Sequence, residues 1–242
     1  MMAKKNKARI GIGEGGGVAV KSSVKKAEAK GYGKVTVFSD EASLISALTS
    51  GEIEAAVRGT LEAKAVMNTL KTTLKVESIM RIALLDTKGG ELVLLAPVGV
   101  DEGQSSKERL NIIIQGQKLL SKFNMKARVG VLSGGRLDDM GRHMRVDETL
   151  SDGEELTKEA QKKGISAQHF GIVLEDALES SNFVIAPDGI TGNMIFRALH
   201  FLGGAKAIGA PVVNIDYVFV DTSRSKKDFS DSIALAGALS GV

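Results

Sequence analysis

The sequence predicts an α/β fold: a mostly parallel sheet with helices on both faces, three layers in all, divided between two domains. Three observations predict it. Apolar, strand-like segments alternate with amphipathic, helix-like ones; glycines and small polar residues collect where a strand gives way to a helix; and the texture changes after residue 75.

Residues 8–12 predict a short apolar strand, 13–17 a glycine loop and 18–30 an amphipathic helix. Residues 34–38 predict a β-branched strand ending at Ser39-Asp40, and 41–49 a helix. A strand at 55–57 leads to Arg58-Gly59-Thr60 and then to a helix over 61–74, rich in Ala, Met and Leu. Beyond Ser78, residues 79–86 and 91–97 predict two strands around Lys88-Gly89-Gly90, a hairpin-like turn. A helix over 105–123 precedes a strand at 128–132 and the loop Ser133-Gly134-Gly135-Arg136. Residues 147–163 predict a polar helix interrupted at Asp152-Gly153. A buried-type strand at 183–186 turns through Pro187-Asp188-Gly189 into Thr191-Gly192-Asn193 at the head of an amphipathic helix. A last strand over 211–220 ends on Asp221-Thr222-Ser223-Arg224, before a closing helix.

Composition narrows the function. At 242 residues, 43% hydrophobic and 25% charged, the chain has material for one large core or two modest ones. With 4% aromatics and no tryptophan, the core is expected to be aliphatic. Twenty-eight glycines against three prolines point to tight strand-to-helix turns. The absence of cysteine excludes disulfides, thiolate nucleophiles and cysteine-ligated metals, and fits a cytoplasmic location. A net charge of +3, with lysines at Lys4, Lys5, Lys7 and Lys226-Lys227, is too small and scattered for a nucleic-acid binder. No run reaches the ~18 apolar residues of a membrane helix, and the charged start lacks the apolar stretch of a signal peptide. The protein is therefore expected to be soluble, with neither membrane nor nucleic acid as a partner.

Three constellations carry candidate chemistry. Gly11-x-Gly13-x-x-Gly16 lies between strand and helix, with Asp40 closing the next strand 24 residues later. That pattern admits a dinucleotide site, a tight structural turn, or the edge of another ligand site. Ser133 and Arg136, with Asp138, Asp139, Arg142, His143 and Arg145 behind them, admit an oxyanion site or a solvated loop of paired Asp and Arg. His143 has no Ser or carboxylate pair placed beside it and is expected at the surface. At the C-terminal turns, Asp188, Gly189, Thr191, Gly192 and Asn193 admit ligand contact or helix capping, with the helix beginning at Gly192 or Asn193.

Residues 182–239 resemble the end of the phosphate acetyl/butyryltransferase family, and the Asp188-Gly189-x-Thr191-Gly192-Asn193 turn is closer still to the PlsX-type phosphate acyltransferases. The resemblance covers most of the chain. It implies an isocitrate/isopropylmalate dehydrogenase-like fold, with two domains around a cleft. The closing helix then returns to the first domain, giving 1–75 plus 222–242 and 76–221. By the same resemblance Gly192 and Asn193 match the family's Gly-Asn, and Asp188 its preceding acid. Ser223 and Arg224 match the pair that stabilises an acyl carbonyl and an anionic partner. Asp228 matches the general base toward a coenzyme A thiol, at a shorter spacing from Ser223, with Asp231 as the alternative. The family's arginine in the 61–74 helix is replaced by Met67-Asn68-Thr69-Leu70, so Arg58 is the candidate for that charge. These departures, with the GGRLDDMGR loop, are closest to the MtxX-like methanogenesis marker proteins, a methyltransferase-related branch.

The resemblance implies acyl transfer between phosphate and a coenzyme A-type thiol, with coenzyme A or acyl-CoA as substrate, no metal and no tightly bound cofactor. It also implies a homodimer, which the apolar segments 82–85 and 92–95 would help to form. Two other readings stay open: a methyltransferase or methyltransferase-associated protein that binds a phosphorylated ligand, and a nicotinamide-dependent dehydrogenase.

Overall fold

The computed structural model describes residues 7–16, 18–87 and 90–241. Lys4 and Lys5 of the basic start, Gly17 of the glycine loop, and Lys88 and Gly89 of the hairpin-like turn lie outside the described residues. The chain divides into two compact units. One comprises the residues up to Ile79 together with those from Ile208 onward, and the other is Met80–Ala207.

The first unit opens with β1 (Arg9–Gly13), α1 (Ala19–Ala29), β2 (Lys34–Phe38), α2 (Glu41–Thr49), β3 (Ala55–Val57) and α3 (Ala63–Leu74). The helices form because their apolar positions recur at helical spacing: α1 buries Val20, Ser23 and Ala27, and α3 buries Val66, Met67 and Leu70. Asp40 starts α2 by accepting the Ser43 N–H at 2.8 Å. β2 and β3 both pair with β1 in parallel. Leu44, Ile45, Leu48, Ile53, Val66 and Leu70 form an aliphatic cluster on one face of this sheet, with Ala56 beneath them. Gly11 lets that cluster settle on β1, because a Cβ there would press on Leu44, Ile53 and Phe38.

The second unit runs β4 (Ala83–Thr87), β5 (Glu91–Ala96), α4 (Ser106–Lys122), β6 (Arg128–Leu132), α5 (Met144–Lys162), β7 (Ser166–Gly171), α6 (Leu174–Ser180), β8 (Phe183–Ile185) and α7 (Gly189–Arg197). A π-helical turn, Ala198–Leu202, continues α7. The strand order is β4-β5-β8-β6-β7. β4 is antiparallel to β5, and the remaining pairs are parallel. β7 and α6 have no counterpart among the predicted elements, because Ser166, Gln168 and His169 break the apolar alternation a strand is recognised by. α5 runs unbroken through Asp152-Gly153, which corrects the predicted interruption: Gly153 is buried there against the His169 ring. Ile82, Leu84, Leu85, Val93, Leu94 and Leu95 are buried in this unit. They are core residues, and not the subunit-pairing surface that their composition suggests.

The chain returns to the first unit as β9 (Lys206–Pro211), whose residues from Ile208 belong there, followed by β10 (Val218–Asp221) and α8 (Ser230–Ser240). The single strand predicted over 211–220 is therefore two strands, antiparallel to each other. Asn214 lies in the turn between them, its side-chain amide donating to the Ser78 carbonyl at 2.8 Å. β10 lies parallel to β3, with Val218 beside Ala55 and Val220 beside Val57. That pairing moves the boundary: residues 208–221 go with the first unit, whereas the sequence reading gave them to the second. α8 buries Ile233, Ala236 and Leu239 and packs on β1, β3, β10 and α1. Both units are thus α/β layers built on parallel strands, as the sequence predicts.

Gly59, after β3, has a φ of 62°. A Cβ on it would also run into the Gly13 carbonyl oxygen. Gly51 has a φ of 78° but open space around it. Gly59→Ala is expected to lower stability by about 3 kcal/mol or more, and Gly51→Ala by only about 1 kcal/mol. Urea unfolding of the two variants, compared at equal m-value, measures the difference.

Candidate functional site

In the first unit, β1, β3 and β10 are parallel, so the loops that follow them share one edge, where α/β sheets place ligands. Polar bonds tie these loops together. Thr60 N–H donates to the Gly13 carbonyl at 3.1 Å, Gly15 N–H to Thr60 Oγ1 at 2.8 Å, and Thr222 Oγ1 to the Gly59 carbonyl at 3.0 Å. Arg58 is buried; its Nε donates to Asp221 Oδ1 and its Nη1 to the Leu61 carbonyl at 2.6 Å. This corrects Arg58 as a ligand contact, because its charge is spent on Asp221 inside the unit. The glycine motif is also reassigned. Gly11 and Gly13 lie within β1 and serve packing, and Asp40 caps α2, so neither forms the phosphate turn and ribose acid of a dinucleotide site.

The segment after β10 is pinned at its far end and open at its near end. Lys226 Nζ donates to the Ile208 carbonyl at 2.7 Å and to Ser232 Oγ at 2.8 Å, and Phe229 N–H donates to Ser23 Oγ at 2.9 Å. Asp228 pairs with Lys26 and accepts the Ser230 N–H at 2.9 Å. Partial burial would raise its pKa, but the bonds from Lys26 and Ser230 outweigh it and hold the carboxyl well below the usual range. A carboxylate so stabilised accepts a proton poorly near neutrality. The geometry therefore favours an anchoring role for Asp228 over the expected base. Ahead of these anchors, Ser223 Oγ meets Ser225 Oγ at 2.7 Å. Arg224 is exposed and makes no ion pair among the described residues.

In the second unit, α7 begins at Gly189, three residues earlier than expected. Asp188 caps it by accepting the Thr191 N–H at 2.7 Å. The glycines answer a packing demand: a Cβ on Gly189 would strike the Gly99 carbonyl oxygen, and one on Gly192 the Pro97 carbonyl oxygen. Asn193 Nδ2 donates to the Val98 carbonyl at 2.8 Å. Gly192 and Asn193 thus hold the loop after β5, and the ligand role predicted for them gives way to a structural one. That loop also contains Glu102, whose Oε1 accepts from Arg81 Nε at 2.6 Å. Burial pushes the Glu102 pKa up, with Arg81 opposing.

Ser133 follows β6 directly, and the loop it opens is internally paired. Arg136 N–H donates to Asp139 Oδ2 at 2.9 Å, and Asp139 also pairs with Arg142. The Arg136 side chain is exposed. His143 caps α5 through Nδ1, which accepts the Arg145 N–H at 3.1 Å. Ser133 itself faces a residue that the sequence reading missed: His169 Nε2 lies 2.9 Å from Ser133 Oγ. The His169 side chain is 4% exposed, and its Nδ1 has no hydrogen-bond partner among the described residues; Glu154 Oε2 is 3.6 Å away. An unmet buried donor or acceptor costs about 1–3 kcal/mol, and a glycine inside a helix, such as Gly153 beside this ring, about 1 kcal/mol relative to alanine. Lys163-Gly164, a helix stop, was the available signal that a new element carrying His169 follows.

Among the described residues, no group of three or more His, Asp or Glu side chains could hold a metal ion, and no helix is long and apolar enough to cross a membrane. No family model matches the chain. A Methanosarcina barkeri protein provisionally named methyltransferase mtx subunit X is 42% identical over 260 residues, covering 99% of this chain and 96% of that protein. The protein of the same name in Methanosarcina acetivorans is 41% identical, covering 98% of this chain and 92% of its own length. A branched-chain phosphotransacylase from Enterococcus faecalis V583 superposes with a TM-score of 0.71 at 17% identity, covering 96% of this chain and 98% of that one. The EutD phosphotransacetylase from Staphylococcus aureus gives 0.70 at 16% identity, covering 99% of this chain and 96% of that one. The fold is that of the phosphotransacylases.

Two outcomes follow from the buried polar groups. Arg58→Ala takes the guanidinium away from the buried Asp221 carboxylate and is expected to lower stability by about 3–5 kcal/mol, read by denaturant unfolding. Burial, only partly offset by Glu154, lowers the His169 pKa below its ordinary 6.5. The folded protein then binds fewer protons than the unfolded chain just below that value. Stability is therefore complete above about pH 6.5 and falls as the pH drops toward the folded pKa. Melting temperatures measured between about pH 7 and pH 5 should decline, and His169→Gln should flatten that decline.

Proposed function

The chain belongs to the mtx subunit X family, and from that membership and its phosphotransacylase fold we propose that it is a transferase that moves acyl groups between phosphate and a coenzyme A-type thiol. The observation that carries this reading is Arg224: an exposed guanidinium without an ion partner among the described residues, beside Ser223, on a loop at the C-terminal edge of parallel strands. Guanidinium suits phosphate and carbonyl oxygens because its N–H groups form a fixed fork. In this reading the thiol sulfur attacks the carbonyl of an acyl phosphate, and the C–S bond forms as the C–O bond to phosphate breaks. The departing phosphate takes up the thiol proton, and the charge that develops on the carbonyl oxygen is met by Ser223 Oγ–H and Arg224. Such stabilisation is usually the largest catalytic contribution. Asp228, paired with Lys26, supports the reading by fixing the segment behind this pair.

Arg224→Ala should lower kcat/KM for thioester formation from an acyl phosphate and coenzyme A by about 10–100-fold, the worth of a charged hydrogen bond, with an unchanged unfolding midpoint. No thioester from the wild type with any short straight or branched acyl phosphate would remove the proposal. The relatives' names favour a second reading, a subunit that serves a methyltransferase and holds a phosphorylated ligand. Melting-temperature increases with coenzyme A or acetyl phosphate, without thioester formation, would point there.

A further inference from the structure

The second unit contains a Ser–His–Glu arrangement that the acyl-exchange reading leaves unused. Ser133 Oγ lies 2.9 Å from His169 Nε2, and Glu154 Oε2 lies 3.6 Å from His169 Nδ1. The negative carboxylate favours the tautomer with the proton on Nδ1. Nε2 is then left as a lone-pair acceptor aimed at the serine hydroxyl, the relation of a nucleophile to its base.

Two further features place the imidazole there. β7 carries a bulge: Val131 pairs with His169 but Leu132 pairs with Gly171, so Phe170 is the extra residue. Bulges are rare between parallel strands and commonly re-aim a side chain near a site. In the helix above, position 153 is glycine, and a Cβ there would come within 2.6 Å of Nε2. Strand, helix and orphaned Nδ1 all converge on one ring. Ser133 sits at the C-terminal end of a parallel strand, directly before the exposed Gly134.

We propose that Ser133 is an acyl-accepting nucleophile, with His169 as its base and Glu154 orienting the imidazole. The substrate class is a small activated acyl group: an ester, thioester or acyl phosphate. Oγ attacks the carbonyl carbon. The Oγ–C bond forms as the bond from that carbon to the leaving oxygen or sulfur breaks, and the Oγ proton passes to Nε2 and on to the leaving group. The product is a seryl ester, and no other reactant is consumed.

The test uses the full chain and 4-nitrophenyl acetate, which contains neither phosphate nor thiol, so its outcome is separate from that of the acyl-exchange assay. Trypsin releases Val129–Arg136, in which Ser133 is the one side-chain hydroxyl. Mass spectrometry is expected to find that peptide acetylated, with the acetyl group released by hydroxylamine as an ester is. Ser133→Ala should abolish the mark, and His169→Gln should slow it by about 100-fold or more, the range of a positioned base. Gly153→Ala, which displaces the ring without removing it, should also slow labelling, and it serves if His169→Gln fails to fold. Glu154, bridged to Lys158 at 3.3 Å, is the charged group facing the ring. Because its carboxylate raises the proton affinity of His169, Glu154→Gln should move the midpoint of the labelling-rate profile to lower pH. A merely structural Glu154 would leave that midpoint in place. Folded wild type without acetyl on Val129–Arg136, or labelling at the same rate in folded His169→Gln or Gly153→Ala, overturns the proposal.

Discussion

Both units depend on places where two backbones meet more closely than a side chain permits. In the first, Gly59 turns against the carbonyl of Gly13, which brings the end of β3 against the end of β1. In the second, Gly189 and Gly192 let the start of α7 lie on the carbonyls of Gly99 and Pro97. Neither contact could be made by alanine, since a Cβ would occupy the position of the oxygen. Because the backbones touch, their N–H and C=O groups and nearby side chains come within bonding range, as in Thr60 to Gly13 and Asn193 to Val98. These contacts, together with the burial of Leu61 and Val98, fix the loops at the strand ends.

Much of the charge near those strand ends is then consumed in holding the loops. Arg58 is matched by Asp221, Arg81 by Glu102 and Lys26 by Asp228. Such pairs stabilise little when exposed and are costly to break when buried, so they behave as fixed parts of the frame. Arg224 stands out by contrast, as an exposed cation on the same segment that Lys226 and Asp228 secure. His169 stands out as a ring with one nitrogen on a hydroxyl and the other buried without a partner.

The sequence made the fold legible wherever periodicity was strong. The βαβαβα opening and the apolar strands β4, β5, β6 and β8 are readable from hydrophobic spacing, and so is the α/β class. It failed where residues were chosen for something other than burial. β7 is half polar because it carries His169, and Gly153 looks like a break because it accommodates that ring. The strand expected over 211–220 hid a turn, since Val212, Val213 and Ile215 kept the run apolar across Asn214 and Asp216. The candidate site was partly legible. Ser133, Ser223 and Arg224 lie at strand ends, as a junction reading implies. Roles for Arg58, Gly192, Asn193 and Asp228 could not be read, because each depends on a partner far away in sequence: Asp221, Pro97, Val98 and Lys26.

β10 has to find its place beside β3 from a long distance along the chain: Val218 pairs with Ala55 only after the whole of Met80–Ala207 has intervened. During synthesis the emerging N-terminal segment therefore waits with one side of β3 unmatched, while the residues of the inserted unit leave the ribosome and can close among themselves first. The loop-closure entropy for so long an insertion grows only slowly with its length, and a folded insertion shortens the effective gap between β3 and β10. A nascent chain halted before Val218 would consequently expose the β3 strand side and the unoccupied seat of α8, surfaces suited to chaperone capture.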